Sequence, residues 1–394
     1  MKLNFTGIVL FIFSITAIQA QETPAPKFGN GLFNLVGKDS TFTMKIGARM
    51  QFLAISNWED GQANEANFLV RRARLKFDGF AYSPKLKYKL ELGLSNRDIS
   101  GASQYTSNAP RYILDAVIKW NFHENFVLWF GQTKLPGNRE RVISSANLQQ
   151  VDRSLLNSRF NIDRDLGIQL RHHFNITDRF IIKEALAISQ GEGRNITSGN
   201  LGGHQYTGRI EFLPFGNFAS KGDYKGSDLK REPTPKLAVG VSYDFNNNAV
   251  KTRSNQGAYM VNEDGIFHET NISTLYVDAM FKYKGISFMA EYADRNADDV
   301  LFTNEDGNID AVQIGSAINL QAGYLLKKDW EVSGRYTNID WDKLTGNANQ
   351  SQYTVGVSKY IIGHKLKVQT DISHLEVTHG NNELMYRLQF DIHF

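Results

Sequence analysis

The last eleven residues, 384–394 (LMYRLQFDIHF), constrain the fold more than any other stretch of this chain. Side chains of a β-strand alternate between its two faces. Every second residue of this stretch is apolar or aromatic, and the residues between them are mostly polar. A tilted transmembrane strand needs roughly 9–11 residues, so the stretch is long enough to cross a bilayer. An amphipathic edge strand of a soluble sheet would alternate in the same way, and other segments must separate the two possibilities.

The same period of two recurs along the chain from Thr41 onward, without the interleaved apolar runs that a second packed sheet would add. An even number of strands is typical of bacterial outer-membrane barrels, and closure removes the unpaired edges that lipid does not tolerate. Sixteen strands are predicted, near residues 41–53, 68–80, 85–95, 111–122, 126–134, 165–174, 180–189, 206–214, 236–245, 273–284, 286–294, 312–326, 330–337, 351–361, 364–375 and 383–394.

The connections between these segments alternate between short turns and long polar loops, which is the pattern of an outer-membrane barrel. One connection, Gly216 to Pro235, is long although it falls on the short-turn side. The loop from Lys134 to Arg164 is longer than ordinary connections, and such loops are usually functional or disordered. The predicted fold is therefore all-β: a 16-stranded antiparallel transmembrane β-barrel with long extracellular loops and an inward-folded constriction loop. Residues Ser145 to Leu156 of that loop are expected to form one or two helical turns.

The N-terminal residues have the features of a secretory signal. Lys2 supplies a positive charge, Ile8 to Ile15 form a short apolar core, and Ala20 offers a small residue for cleavage. An N-terminal anchor helix is the alternative, but the apolar core is too short to span a membrane. We expect a signal peptide over residues 1–20, an irregular leader over 21–40, and an outer-membrane β-barrel pore over 41–394.

Composition excludes several classes of function. The chain has no cysteine, which rules out thiol catalysis, disulfides and cysteine-based zinc sites. Its formal net charge is +3, too slight to indicate a nucleic-acid partner. There is no H-E-x-x-H or G-x-S-x-G motif, and the adjacent His172 and His173 would point to opposite faces of a strand. The sequence therefore predicts neither an enzyme nor a cofactor or metal site.

Sixteen strands enclose a lumen too wide for side chains to fill, so an aqueous channel is expected. Basic residues on its predicted inner face cluster in the first four strands, where they would concentrate anions. Alternatively, these charges only solvate a wet wall and pair with Asp78, Glu91 and Asp115. The candidate pore-lining and anion-binding residues are Arg49, Arg72, Arg74, Lys76, Lys87, Lys89 and Lys119.

The long loop is the second candidate for function. If it folds into the lumen, its cations face the passing solute; if it stays outside, they form ion pairs within the loop. The candidate constriction-loop residues are Lys134, Arg139, Arg141, Arg153 and Arg159.

Several segments resemble the phosphate-selective porin O and P family. The most specific are Phe68–Leu75 (FLVRRARL), Phe130–Pro136 (FGQTKLP) and Arg164–Leu170 (RDLGIQL). Further similarity lies at Arg141 with 144–145, 152–157, 222–236 and 363–369, so the resemblance runs from about residue 40 to the C-terminus. It implies a trimeric, sixteen-stranded outer-membrane porin that passes anions. A full arginine ladder and a dedicated lysine cluster have no clear counterparts here, which leaves phosphate specificity open.

The sequence thus predicts a water-filled channel in the outer membrane of a Gram-negative cell, reached after signal removal, for passive diffusion of small anions and possibly of phosphate. Expected partners are small anions, outer-membrane lipid and two further copies of the chain, and not nucleic acid. Two other functions stay open: a secreted soluble all-β binding protein, and an outer-membrane barrel with a non-transport role such as lipid hydrolysis.

Overall fold

A computed structural model describes residues 28–99 and 101–394. The predicted signal peptide and the first part of the leader lie outside the described residues. Sixteen antiparallel strands form the barrel: β1 Thr43–Glu59, β2 Glu65–Ala81, β3 Ser83–Gly93, β4 Ile113–His123, β5 Phe126–Lys134, β6 Arg164–Asn175, β7 Ile181–Ser189, β8 Gln205–Leu213, β9 Lys236–Ala249, β10 Thr270–Tyr283, β11 Ile286–Ala297, β12 Gly315–Leu325, β13 Trp330–Trp341, β14 Gln350–Ile362, β15 Leu366–Val377 and β16 Glu383–His393.

The barrel closes between its first and last strands. β1 pairs with β16 from Arg49 opposite His393 to Glu59 opposite Glu383. On the outer face of this seam Phe52 and Phe390 are exposed, whereas Gln51 and Asp391 are buried inside. The alternation of the C-terminal strand therefore separates an apolar outer surface from a polar interior, and the predicted 16-stranded antiparallel barrel is confirmed.

A short N-terminal strand, Phe33–Val36, continues the sheet beyond the seam. It pairs with Thr43 to Ile46 of β1, just below the point at which β16 ends. An unpaired edge exposes backbone N–H and C=O groups, so this added strand covers the part of β1 that the C-terminal strand does not reach.

The loops carry short elements of their own. Two hairpins, Lys251–Arg253 with Gln256–Tyr259 and Leu301–Thr303 with Ile309–Ala311, stand on the long-loop rim. Single helical turns occur at Arg139–Val142 (α1), Leu155–Phe160 (α2), Gln104–Thr106, Ser145–Asn147, Ala219–Tyr224, Lys327–Asp329 and Lys343–Thr345. No helix of the described residues is long and apolar enough to cross a membrane.

The helical prediction for Ser145 to Leu156 is only partly right. A turn of 3-10 helix covers Ser145–Asn147, and α2 lies mainly after the predicted stretch. The Ser154 hydroxyl accepts a hydrogen bond from the Asn157 N–H at 3.1 Å, and this N-cap fixes the start of α2.

The loop of residues 135–163, called the inserted loop from here on, packs inside the barrel. Its Leu156 and Phe160 are fully buried against inward-facing Tyr276, Ala293 and Ile339 of β10, β11 and β13. Burying side chains of this size stabilises the loop by roughly 1.5–3 kcal/mol each. Part of the inner wall is therefore apolar, and alternation alone does not predict which wall residues face water.

The connection of residues 214–235, called the inner segment, enters from the short-turn rim. Its Phe218 and Tyr224 pack with Ile143 and Leu148 of the inserted loop. Gly226 N–H donates to Asn147 O at 2.6 Å. A Cβ on Gly226 would lie 2.5 Å from the backbone N of Gln149, so only glycine permits this approach. The predicted long connection on the short-turn side thus serves to brace the inserted loop.

Candidate functional site

The inserted loop lies against one side of the lumen, the inner wall of strands β8–β15, called the sealed half. Gln149 Nε2 donates to Ser287 Oγ and to Glu331 Oε1, both at 2.7 Å. Val151 N–H donates to Asp371 Oδ2 at 3.1 Å. The space between loop and wall is a cleft of only about 10 Å³. A site needs about 10–15 Å³ to hold one water molecule, so no aqueous path runs through this cleft.

Buried ion pairs anchor the loop to the same wall. Arg139 Nε lies 2.7 Å from Asp278 Oδ1, and Arg139 Nη2 lies 3.1 Å from Glu211 Oε1. The Glu140 N–H donates to Glu291 Oε1 at 2.7 Å. Arg139 is fully buried, so this predicted constriction residue holds the loop and does not face solute.

The opposite side of the lumen stays open. A cavity of about 700 Å³, called the main cavity, lies between the inner edge of the inserted loop and the wall of strands β2–β6, called the open half. Its boundary contains only five acidic side chains but fifteen basic ones: Arg71, Arg72, Arg74, Lys89, Arg97, Arg111, Lys119, Lys134, Arg141, Arg153, Arg164, Arg171, Arg194, Lys251 and Arg253.

Part of this charge is neutralised on the wall itself. Arg74 contacts Glu91 at 3.0 Å and Asp98 at 2.5 Å, and Lys89 contacts Asp115 at 2.8 Å. Pairing with Glu91 and Asp115 is expected under the alternative interpretation, in which the basic residues of the wall only solvate it and form ion pairs.

Other cations of the main cavity have no carboxylate partner. Within the described ranges this holds for eight: Arg97, Arg111, Lys119, Lys134, Arg153, Arg171, Lys251 and Arg253. Arg153, for example, donates to the carbonyl oxygens of Glu140 and Ile143 at 2.9 and 2.6 Å. Burial and the neighbouring Arg141 lower the pKa of Arg153 to about 9. The cavity therefore carries positive charge that the protein leaves uncompensated.

One loop carboxylate is held by three arginines. Asp152 of the inserted loop lies 2.8 Å from Arg71, 3.6 Å from Arg72 and 3.7 Å from Arg387. Burial by itself would raise the pKa of Asp152, but these three guanidinium groups lower it below its usual value. Asp152 occupies the position that a solute anion would otherwise take between these arginines.

Trp129 is the only aromatic residue among the described residues that line the main cavity. Lys119 Nζ lies 3.7 Å from the centroid of its ring and Arg171 Cζ lies 4.1 Å away. Cation–π contacts of this kind hold a cation without neutralising it. Trp129 therefore fixes two cations without carboxylate partners on the wall of the open half.

The structure brings seven of the twelve predicted site residues together at the main cavity: Arg72, Arg74, Lys89, Lys119, Lys134, Arg141 and Arg153. The other five lie elsewhere. Arg49 is buried against Asp391 and Ser145, Lys76 pairs with Asp78, and Lys87 is exposed opposite Lys119 in the register. Arg139 anchors the loop, and Arg159 lines a different cavity.

The prediction from sequence missed Arg71 because of a β-bulge. Gln51 pairs with Arg72 but Phe52 pairs with Val70, so Arg71 is an extra residue in β2. Strict alternation would turn Arg71 outward, whereas it points inward to Asp152. The two consecutive arginines in an alternating strand are the signal that could have revealed it. Loop cations such as Arg97, Arg194 and Lys251 gave no periodic signal.

The closed barrel, its apolar outer surface and a loop folded into its lumen define an outer-membrane porin, a channel for small solutes. The chain belongs to the phosphate-selective porin O and P family, whose profile matches residues 42–392. It is 23% identical over 353 residues to an uncharacterized protein of Aquifex aeolicus (strain VF5), covering 82% of this chain and 79% of that protein.

Solved porins share the fold at low identity. An anion-selective porin from Comamonas acidovorans aligns with a TM-score of 0.54 at 11% identity, over 90% of this chain and all of the porin. The outer membrane channel DcaP of Acinetobacter baumannii gives 0.53 at 12% identity, over 92% of this chain and 100% of its own. Salmonella typhi OmpF, in a complex with daunomycin, aligns with a TM-score of 0.57 at 12% identity, over 91% of this chain and 100% of its own.

Proposed function

We propose that the protein is a passive diffusion channel for small anions, phosphate among them, and that it has no catalytic role. The observation that carries the proposal is the imbalance of fifteen basic against five acidic side chains around the main cavity. Clefts lined by one sign of charge within low-dielectric walls raise the local concentration of the opposite ion.

Passage through such a cavity requires contacts that attract an anion without trapping it. Guanidinium groups offer planar donors that match the oxygen atoms of phosphate and carboxylate. Because Lys134 and Arg153 also donate to backbone carbonyls, they stay in position when no anion is present. An anion can therefore exchange its water shell for successive donors along the open half and then leave.

A potassium chloride gradient across a planar bilayer tests this function. We expect conductance steps and a reversal potential of the anion-selective sign. A cation-selective sign, or a purified and folded barrel that never conducts, would reject the proposal. Excess phosphate added to the same chamber should reduce the chloride current if phosphate shares the path.

We further propose a homotrimer in the outer membrane, with the signal peptide removed after Ala20. One supporting observation is that OmpT of Vibrio cholerae, which shares the fold at a TM-score of 0.51 and 11% identity, is described as a trimer. Native mass spectrometry of the detergent-purified protein reports both features. A monomeric mass, or a mature chain that retains residues 1–20, would contradict the corresponding part.

A further inference from the structure

A second cavity opens on the long-loop rim, behind the hairpin of residues 251–259. This outer cavity measures about 380 Å³ and lies between that hairpin, the inserted loop and the loop of residues 342–349. Arg253 and Gly257 line both the outer and the main cavity, so the hairpin is the partition between them. The side chains that line the outer cavity include Arg159, Arg253, Gln313, Trp341, Asn347 and Gln350.

The outer cavity has positive charge and no acidic side chain among the described residues that line it. Arg253 Nη1 donates to Ser158 O at 2.6 Å. Burial, together with Arg295 and Arg159, lowers the pKa of Arg253 to about 10. Neither Arg159 nor Arg253 has an ion-pair partner within the described parts of the chain. Two guanidinium groups in one concave site, both without a counterion, are suited to an oxyanion.

Polar atoms of the same cavity lack partners. Arg159 Nε is buried and donates to no described group, and Gln350 Oε1 is buried and accepts from none. Buried polar atoms in native proteins are nearly always hydrogen-bonded, so unpaired ones require an explanation. One of these two atoms is a donor and the other is an acceptor, and both are shielded from the cavity. A ligand that supplies an oxyanion and a hydroxyl group would pair with them after the side chains of Arg159 and Gln350 rotate toward it.

The remaining lining side chains favour a ligand with hydroxyl groups over a bare inorganic ion. Asn347 Nδ2 donates to Gln313 Oε1 at 2.8 Å, which orients two amides at the rim. The N–H groups of an amide can donate to an oxyanion, and its oxygen can accept from a hydroxyl group, which a bare oxyanion lacks. Trp341 stacks on Phe160 with ring centroids 5.2 Å apart and forms a rigid apolar floor.

We propose that the outer cavity binds hydroxylated oxyanions, such as sugar phosphates and sugar acids, before they pass Arg253 into the main cavity. This inference rests on the proposed anion channel and names a substrate class for it. Arg159 and Arg253 hold the charged group, and the amides of Gln350 and Asn347 contact the hydroxyls.

The test is block of the chloride current in planar bilayers by glucose 6-phosphate and gluconate, with glucose and inorganic phosphate as comparison solutes, each added to either side. In the unmodified channel, both hydroxylated oxyanions should block from the long-loop side at lower concentration than inorganic phosphate, and glucose should not block. Arg159→Gln should raise the half-blocking concentration of glucose 6-phosphate about tenfold, as expected for loss of one charge-assisted contact.

Two further variants keep the result interpretable. Gln350→Leu should raise the half-blocking concentration of glucose 6-phosphate about threefold, and leave block by inorganic phosphate unchanged, because it removes one neutral hydrogen bond. Lys343→Gln removes an exposed cation from the loop of residues 342–349, at a position whose side chain does not line the cavity, and should change neither value. Migration of the folded barrel on semi-native gels shows that each variant is assembled.

The possible results distinguish failure of the proposed outer site from failure of the proposed anion channel. A channel that is anion-selective but blocked equally by glucose 6-phosphate and inorganic phosphate would overturn the outer site alone. Equal half-blocking concentrations of glucose 6-phosphate in Arg159→Gln and Lys343→Gln would also overturn the outer site alone. A channel of cation-selective sign would overturn the proposed function, and the outer site with it.

Discussion

Charged side chains lie on both sides of the barrel interior, but they have different roles on the two sides. In the sealed half, Arg139 meets Asp278 and Glu211, and every one of these groups is buried with a partner of opposite charge. In the open half, cations outnumber carboxylates three to one. A charge inside a barrel is therefore not by itself a functional charge. It acts on solute only where no loop covers it.

The inserted loop makes this division. Leu156 and Phe160 of the loop, and the ion pairs of Arg139, point to strands β8–β15, whereas Arg141, Ser144 and Arg153 border the main cavity. Asp152 is the point at which the two halves meet, because its side chain contacts Arg71 of β2 and its carbonyl oxygen accepts a hydrogen bond from Arg335 of β13. Changes on either side of that point should therefore have different consequences.

The largest expected effect is on the sealed half. Arg139→Gln removes one of the two arginines that pair with Asp278 and Glu211, since Arg209 contacts both carboxylates as well. Loss of a partner from a buried ion pair costs up to about 3–5 kcal/mol. We expect a lower unfolding temperature on semi-native gels and a noisier, larger conductance as the loop detaches. Arg97→Gln, an exposed cation of the open half, should leave the unfolding temperature unchanged. Equal stability of the two variants would show that the buried ion pairs of Arg139 do not stabilise the inserted loop.

The next effect concerns selectivity. Reversing Arg97 and Arg111 together, both without carboxylate partners, replaces attraction by repulsion at the mouth of the main cavity. We expect the chloride-over-potassium permeability ratio to fall about tenfold, within the range that such focusing supplies. Reversing Lys327 and Lys328 makes the same change of charge on the short-turn rim of the sealed half. If both double variants shift the ratio equally, the two halves do not differ in function.

A smaller effect should follow from removing the carboxylate held by three arginines. Asp152→Asn removes the carboxylate partner of Arg71 and Arg72, which both line the main cavity, whereas Arg387 stays paired with Asp371. We expect phosphate to block chloride current at about a fivefold lower concentration, since each charge-assisted contact contributes about 1.5–3 kcal/mol before desolvation. Asp152→Glu should retain the value of the unmodified channel. Weaker phosphate block in Asp152→Asn would mean that this carboxylate does not compete with solute.

The smallest effect is a dependence on pH. Burial and Arg111 lower the pKa of Lys251 to about 8. Because the neutral amine forms as pH rises through that value, the main cavity loses the positive charge of Lys251 between about pH 7 and 9. Anion selectivity should decline over this range, and the decline should be smaller in Lys251→Met than in the unmodified channel. A rise of selectivity with pH in the unmodified channel would have the wrong sign.

The period-two pattern predicted the strands well, because each spanning strand must present apolar side chains to lipid. Strand β5, for instance, ends at Lys134, as predicted. The loop between β1 and β2 is shorter than expected, since both strands continue to residues 59 and 65. Here polar residues extend the strands beyond the apolar alternation on which the prediction depends.

The site was harder to predict, for physical reasons. Arg139 and Asp278 are distant in sequence, and only the closed barrel shows that the loop cation is neutralised. The bulge at Arg71 shifts register by one residue, which no period of two can represent. Tyr276 and Ile339 face inward although they are apolar, because the inserted loop and not water is their neighbour.

We propose that solute passes only through the open half. Since the chain has no cysteine, single substitutions can test it with an anionic methanethiosulfonate reagent. Ser144→Cys lies at the main cavity, and Ser287→Cys lies under the inserted loop. We expect the reagent to reduce the conductance and the anion selectivity of Ser144→Cys and to leave those of Ser287→Cys unchanged. Loss of conductance in Ser287→Cys, with Ser144→Cys unaffected, would contradict it.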